Sequence, residues 1–316
     1  MRRADSLAVV FLGLLALAAI GGCSSHSTPT GPVADLVTGY EFARPWGDSG
    51  SGNGQFNRPQ GVAVDGSGNV YVVDTWNGRI QKFTTDGVYL TQWGTLGSGV
   101  GQFGYMNSIA LDASGNVYVA DSQNKRVQKF TSDGAFLTQW AVPGTGNEEL
   151  DGNLYGIAVD PSGAVYVMDT GHGHVQKFTG DGTFVMQWGE TGNGDGKFIW
   201  PDGLGADAHG HVYVADGMRS IQVFTTDGAF LKRWDMRSEQ AFGAERLAAD
   251  ANGNVFVTDY DSHSIKKFNG AGWLLTQWVP KSDWRWTPAV AVGPDGSVYL
   301  TDTNQYRIEK YAPVRR

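Results

Sequence analysis

The sequence predicts an all-β chain folded as a six-bladed β-propeller, with four antiparallel strands in each blade and the ring closed by an N-terminal strand. Three observations lead there. The run "DGSGNVYVVD" from Asp65 returns in related form from Asp112, Asp160, Asp207, Asp250 and Gly293, at offsets of 47, 48, 47, 43 and 43 residues. Such a period belongs to propeller blades, each too small to bury its apolar faces alone. No stretch beyond the leading apolar segment sustains a helical period. Trp closes five copies, at 93, 140, 188, 234 and 278, while the sixth copy ends without one.

The first copy sets the pattern of elements. Strand A is "GVAV" (61–64), strand B "NVYVV" (69–73), strand C "RIQKF" (79–83) and strand D "VYLTQW" (88–93). Strand B is apolar at nearly every position, which suits a sheet covered on both faces. Gly68, Gly115, Gly163, Gly210, Gly253 and Gly296 recur while their neighbours change, marking a position of positive φ in the A-to-B turn. That turn offers oxygen donors at Asp65, Ser67 and Asn69. A helix–loop–helix calcium site would also need Gly sixth and Glu twelfth, where Val70 and Trp76 stand, so the segment reads as a turn. Asp86-Gly87 between strands C and D is a two-residue hairpin signal, repeated at Asp133-Gly134, Asp181-Gly182 and Asp227-Gly228. The sixth Trp is found at the front of the chain. Trp46 lies 47 residues before Trp93, so residues 40–46 are expected to form the fourth strand of the last blade and remove its open edge.

Residues 1–22 read as a lipoprotein signal peptide, with Arg2 and Arg3, an apolar stretch over 7–20 and the ending "IGGC". Cys23, the only Cys in the chain, is the expected lipidation site. Residues 23–38 then form an extended, solvated tether and residues 39–316 the propeller. Several acyl chains on one Cys would anchor the protein stably to a membrane. The 24 basic and 32 acidic side chains become 22 and 31 once Arg2, Arg3 and Asp5 leave with the signal. Without a concentrated basic surface, no nucleic-acid partner is expected. A monomer is expected. The pairs Gln81-Lys82, Gln128-Lys129 and Gln176-Lys177 on strand C read as solvated positions.

The stretch "QFNRPQGVAVDGSGNVYVVDTWNGRIQKF" (55–83) resembles the NHL repeat, as does "GQFGYMNSIALDASGNVYVADSQNKRVQKF", and the resemblance covers essentially all of the chain after the tether. It implies the propeller fold and leaves function open. NHL propellers include protein- and RNA-binding modules, sensor domains of membrane kinases and an amidating lyase, whose zinc-ligand and Arg/Tyr pattern cannot be placed on this chain. By resemblance to lipoprotein sorting signals, Ser24 after Cys23 implies the outer membrane of a bacterial cell envelope.

Two functional readings stay open, both on the face that carries the D-to-A connections and B-to-C turns, where the loops are long and variable. In the first, a protein, peptide or glycan partner in the envelope binds to aromatic residues of these loops: Trp76, Tyr105, Tyr155, Trp200, Tyr260, Trp284, Trp286 and Tyr306. In the second, the chain is a metal-dependent, lactonase-like hydrolase or lyase with Ca2+ or Mg2+ at the channel mouth. Strand A is innermost, so the residue before it faces the axis: Gln60, Asn107, Tyr155, Asp202, Glu245 and Pro288. Asp202 and Glu245, with Asn107 and Gln60, are the oxygen donors such an ion prefers. The ion would polarise a substrate carbonyl or activate a water. The segment "PDG" (201–203) is similar to one in gluconolactonase-type propellers whose Asp ligates the catalytic metal, and the resemblance passes that role to Asp202 alone. That family's Glu-Gly-Pro and Pro-Asn-Gly segments have no match here. His172 and His174 lie two apart with no third ligand evident, and read as solvated turn residues. The Asp ending strand B, at 74, 121, 169, 216, 259 and 302, recurs in every blade. It is expected to hold backbone N–H groups and to pair with Arg79, Arg126 or Arg307.

Overall fold

The computed structural model describes residues 37–141, 150, 153–217, 220–235, 244–282 and 285–316. The signal segment, Cys23 and the tether as far as residue 36 lie outside the described residues, as does Trp284. Among the described residues, the strands build six four-stranded antiparallel sheets, each ordered A-B-C-D. Blade 1 comprises Pro59–Val64, Val70–Asp74, Arg79–Phe83 and Tyr89–Trp93. Blades 2 to 5 repeat it with strands A at Met106–Leu111, Leu154–Val159, Pro201–Ala206 and Ala244–Ala249. Blade 6 takes Val290–Val292, Val298–Asp302 and Arg307–Arg315 from the end of the chain and its outer strand, Val37–Trp46, from the beginning. The expected closure is therefore present. Strand B is buried along its whole length in blades 1, 2, 3, 5 and 6, as its unbroken apolar run requires.

Two recurring glycines have separate physical reasons. The A-to-B glycines all have φ between 76° and 85°, a conformation that L side chains adopt only with strain. Asp65 beside the first of them accepts from the backbone N–H groups of Ser67 and Asn69 at 2.9 and 2.8 Å, and from the Tyr71 hydroxyl at 3.1 Å. Its oxygens are committed to the turn. Burial and the Asp65 charge push the Tyr71 phenol far up, so it stays a hydroxyl donor. The C-to-D glycines are needed for room. A Cβ on Gly134 would lie 2.5 Å from the ring of Trp93, and Gly87, Gly182, Gly228 and Gly272 meet Trp46, Trp140, Trp188 and Trp234 in the same way. Each of these five Trp residues thus packs on the hairpin of the next blade, and Trp46 continues the series across the closure.

The strand-C lysines are not solvated, contrary to the sequence expectation. Lys82 is buried and its Nζ donates to the Ser132 carbonyl, in the C-to-D turn of the next blade, at 3.1 Å. Lys129 reaches Gly180, Lys177 reaches Thr226 and Lys310 reaches Thr85 in the same way. The Lys82 ammonium stands 5.3 Å from the Tyr71 ring centroid, within the range of cation–π attraction, which offsets part of the cost of its burial. Gln81 is also buried and donates to the Gln55 carbonyl at 2.7 Å. The strand-B carboxylates do follow the expectation. Asp74 accepts from Asn57 N–H and from Arg79 Nε, both at 2.7 Å, and Asp121 does the same with Gly104 and Arg126. Asp302 pairs with Arg307 at 3.1 Å.

The closing strand pairs from Val37↔Arg315 to Trp46↔Ile308. Its half-buried Tyr40, Phe42 and Trp46 contribute roughly 1–2 kcal/mol each by apolar burial, against a typical total of about 5–15 kcal/mol. Deleting residues 37–46 is expected to leave two open sheet edges and a chain that aggregates or melts well below the intact protein. An unchanged melting curve with unchanged sedimentation would contradict the closure.

Candidate functional site at the channel mouth

The side chains that face the axis do so because of a repeated irregularity. Between strands A and B the register slips at Pro59/Gly61, Met106/Ser108, Leu154/Gly156, Pro201/Gly203 and Ala244/Arg246. The residues left out of the ladder are Gln60, Asn107, Tyr155, Asp202 and Glu245. A bulge leaves its extra residue unpaired and re-aims its side chain. Gln60, Tyr155 and Asp202 accordingly line a cavity of about 360 Å3 at the mouth. Asn107 is instead buried, its Nδ2 donating to Ser122 Oγ at 3.2 Å, with no partner for Oδ1. Glu245 occupies its bulge position, but its side chain lies outside the described residues.

The residue after the bulge is Gly61, Ser108, Gly156 and Gly203 in blades 1 to 4, and Ala289 occupies the matching place in blade 6. In blade 5 it is Arg246. The small residues leave room along the axis, and the Arg246 side chain crosses it. Its Nη1 donates to the Tyr155 carbonyl of blade 3 at 2.6 Å, with the guanidinium 5.5 Å from the Tyr155 ring centroid. Arg58 and Arg285 also line the cavity. Arg58 stands 4.3 Å from the Trp76 ring centroid and 6.0 Å from that of Trp286, within the range of cation–π attraction. It holds a left-handed backbone, φ 53°, uncommon for a residue with a side chain. Three guanidinium groups and one described carboxylate, Asp202, therefore share the mouth. Burial raises the Asp202 pKa above 3.8, and the positive charge of Arg246 opposes the rise only in part. Burial, then the Asp202 charge, also push the Tyr155 phenol up.

Of the aromatic residues expected at a binding face, Tyr105, Tyr155, Tyr260 and Trp286 line the cavity. Tyr105 accepts a hydrogen bond from Gln60 Nε2. Trp76 borders the cavity through Arg58. Trp200 is 61 % exposed but lies outside the cavity lining, with φ 127°. Tyr306 is half-buried against the core around Phe56. The three arginines were not anticipated. The signal that could have revealed Arg246 is its departure from an otherwise small-residue position. For Ca2+ or Mg2+, the described residues supply the Asp202 carboxylate, with the Arg246 charge beside it, the Gln60 amide at the mouth and the unpartnered Asn107 oxygen.

The reading of the paired histidines also needs correction. Asp169, fully buried, lies 3.0 Å from His172 Nδ1 and 3.9 Å from His174 Nε2 through one oxygen, Oδ2. The two rings stack with centroids 5.6 Å apart. A third group does converge on them, and His174 is largely buried rather than solvated. His211 pairs with Asp207 at 2.9 Å in the A-to-B turn of blade 4, on the opposite face.

Fold and mouth together define a six-bladed β-propeller with a cationic, aromatic-lined axial cavity. Residues 56–83, 103–130 and 156–178 match the NHL repeat, and the chain is an NHL-repeat propeller. No curated protein matches the sequence. Among solved structures, a streptogramin B lyase superposes with a TM-score of 0.62 at 14 % identity, covering 89 % of this chain and 100 % of that one. Virginiamycin B lyase from Staphylococcus aureus gives 0.59 at 16 %, covering 82 % and 86 %. A luciferin-regenerating enzyme gives 0.59 at 16 %, covering 82 % and 92 %. At these identities the likeness is one of fold.

The Asp202 shift has a testable sign. A carboxylate whose folded pKa is raised is destabilising once ionised, so the penalty is absent below the unfolded value and grows as pH rises through the folded one. Asp202→Asn is expected to raise the melting temperature at pH 7, with the gain vanishing below about pH 4. A constant difference across that range, or a loss at pH 7, would contradict the account.

Proposed function

We propose that this protein is a lipid-anchored cell-envelope propeller that binds an acidic group of a protein, peptide or glycan partner at its channel mouth. The observation that carries the reading is Arg246, a guanidinium placed across the axis where the other blades keep Gly, Ser or Ala, beneath a rim of Tyr105, Tyr260 and Trp286. Arg forks match carboxylate and phosphate geometry, and a mouth walled by protein strengthens the attraction. Flat aromatic rings around the charge suit a sugar face or a peptide side chain. The anchor rests on Cys23 and its lipobox-like setting, and Cys23→Ser should move the protein from the membrane to the soluble fraction.

A second reading, a hydrolase or lyase at the same mouth, draws on Asp202 with its raised pKa and on the streptogramin B lyase and luciferin-regenerating enzyme among the proteins of similar fold. In its metal-dependent form, Ca2+ or Mg2+ would sit among Asp202, Glu245, Asn107 and Gln60. One binding survey separates the two. On glycan and peptide arrays the wild-type ligands should share a carboxylate, sulfate or phosphate. Arg246→Ala should weaken them roughly ten- to hundredfold, as expected for a hydrogen bond to a charged group. Retained ligands that are neutral, or binding indifferent to Arg246→Ala, would refute the acidic-ligand reading. Calorimetric binding of Ca2+ or Mg2+ lost in Asp202→Ala would favour the second.

A further inference from the structure

We propose that Asp169, His172 and His174, on blade 3 and away from the mouth cavity, form a site for a divalent transition-metal ion of the zinc class. The case begins with what the other blades do at this place. Each strand B ends in a buried Asp, and in blades 1, 2 and 6 Arg79, Arg126 and Arg307 bring it a fixed positive charge. Lys266 does so in blade 5. In blades 1 and 2 an Asn completes the brace, Asn77 Nδ2 donating to Asp74 Oδ2 at 2.9 Å and Asn124 to Asp121 at 2.8 Å.

Blade 3 changes both partners at once. His174 pairs with Asp169 in the ladder as Arg79 pairs with Asp74, and His172 follows Asp169 by three residues, as Asn77 follows Asp74. The carboxylate stays fully buried but loses its permanent cation. A buried charge needs compensation, and a metal ion supplies it in place of the guanidinium. The geometry suits that ion. Ligand atoms about 2.0–2.1 Å from a tetrahedral metal stand about 3.3 Å apart. Here Asp169 Oδ2 is 3.0 Å from His172 Nδ1 and 3.9 Å from His174 Nε2, and all three ligand atoms lie within 4.8 Å of one another. Two imidazoles and one carboxylate favour Zn2+, Co2+, Ni2+ or Cu2+ over Ca2+ or Mg2+. The half-exposed His172 gives an entry path and leaves a coordination position open to water.

The test uses the full chain without a histidine tag. Zn2+ and Co2+ are titrated by calorimetry and by visible absorption of bound Co2+, alongside melting curves. The proposal expects one equivalent bound at micromolar concentration or below, a higher melting temperature with Zn2+, and no such effect with Mg2+. His172→Ala, at an exposed position, should weaken binding at least about tenfold, while His209→Ala leaves it unchanged. A double replacement, His172→Asn with His174→Arg, rebuilds the blade 1 brace. It should fold without metal, bind none and show no Zn2+-dependent melting shift. Absence of saturable Zn2+ binding to the wild-type chain, or binding that survives the double replacement, would overturn the site and leave the histidines a structural brace for Asp169.

Discussion

The packing of one blade's outer tryptophan on the hairpin glycine of the next is the contact on which the rest of the structure depends. It runs from Trp46 on Gly87 through Trp234 on Gly272 and fixes the step between neighbouring blades. At the interface between blades 5 and 6 the chain has no C-to-D hairpin, because the strands there come from opposite ends. Tyr40 of the closing strand takes that place and stacks on Trp278 at 4.4 Å. The series is therefore continuous around the ring. The channel mouth inherits that continuity: Arg58, Tyr105, Tyr155, Asp202, Arg246 and Trp286 come one from each blade. A ring opened at any interface would scatter them.

Charge at the mouth runs against charge on the chain. The net charge is −8, yet three arginines and one described carboxylate converge on the axis. A cavity with low-dielectric walls concentrates the field of such a group, and acidic surroundings elsewhere discourage anions from binding at random. The bulge before strand A makes this arrangement possible. It frees one residue from the ladder in each of blades 1 to 5, and the small residue that follows in blades 1 to 4 leaves the axis open for the long side chain of Arg246.

Much of this was legible in the sequence. The repeat offsets, the recurring Gly68 position and the displaced Trp46 specify blade number, turn geometry and closure, since each reflects contacts repeated in every blade. The axial register was legible too, and Gln60, Tyr155 and Asp202 lie at the mouth as expected. What escaped were contacts between blades that no single repeat contains. Lys82 reads as an exposed strand residue until the neighbouring hairpin carbonyl is in place. Arg246 follows the axial position by one residue, at a place that Gly, Ser or Ala holds in the other blades. Asp169 was set aside because it recurs in every blade. Its difference lies in its two partners, His174 opposite it in the ladder and His172 in a turn whose shape the sequence leaves open.

The closed ring presents a cationic pocket, and we propose that it holds an acidic group. A crystal structure of the protein soaked with an acidic monosaccharide, such as a uronic acid, tests it most directly. The carboxylate is expected at the channel mouth, within hydrogen-bonding distance of Arg246 and beside Arg58 or Arg285, with the sugar ring against Trp286 or Tyr105. A sugar bound only on the opposite face, or a cation held by Asp202 in place of the carboxylate, would contradict it.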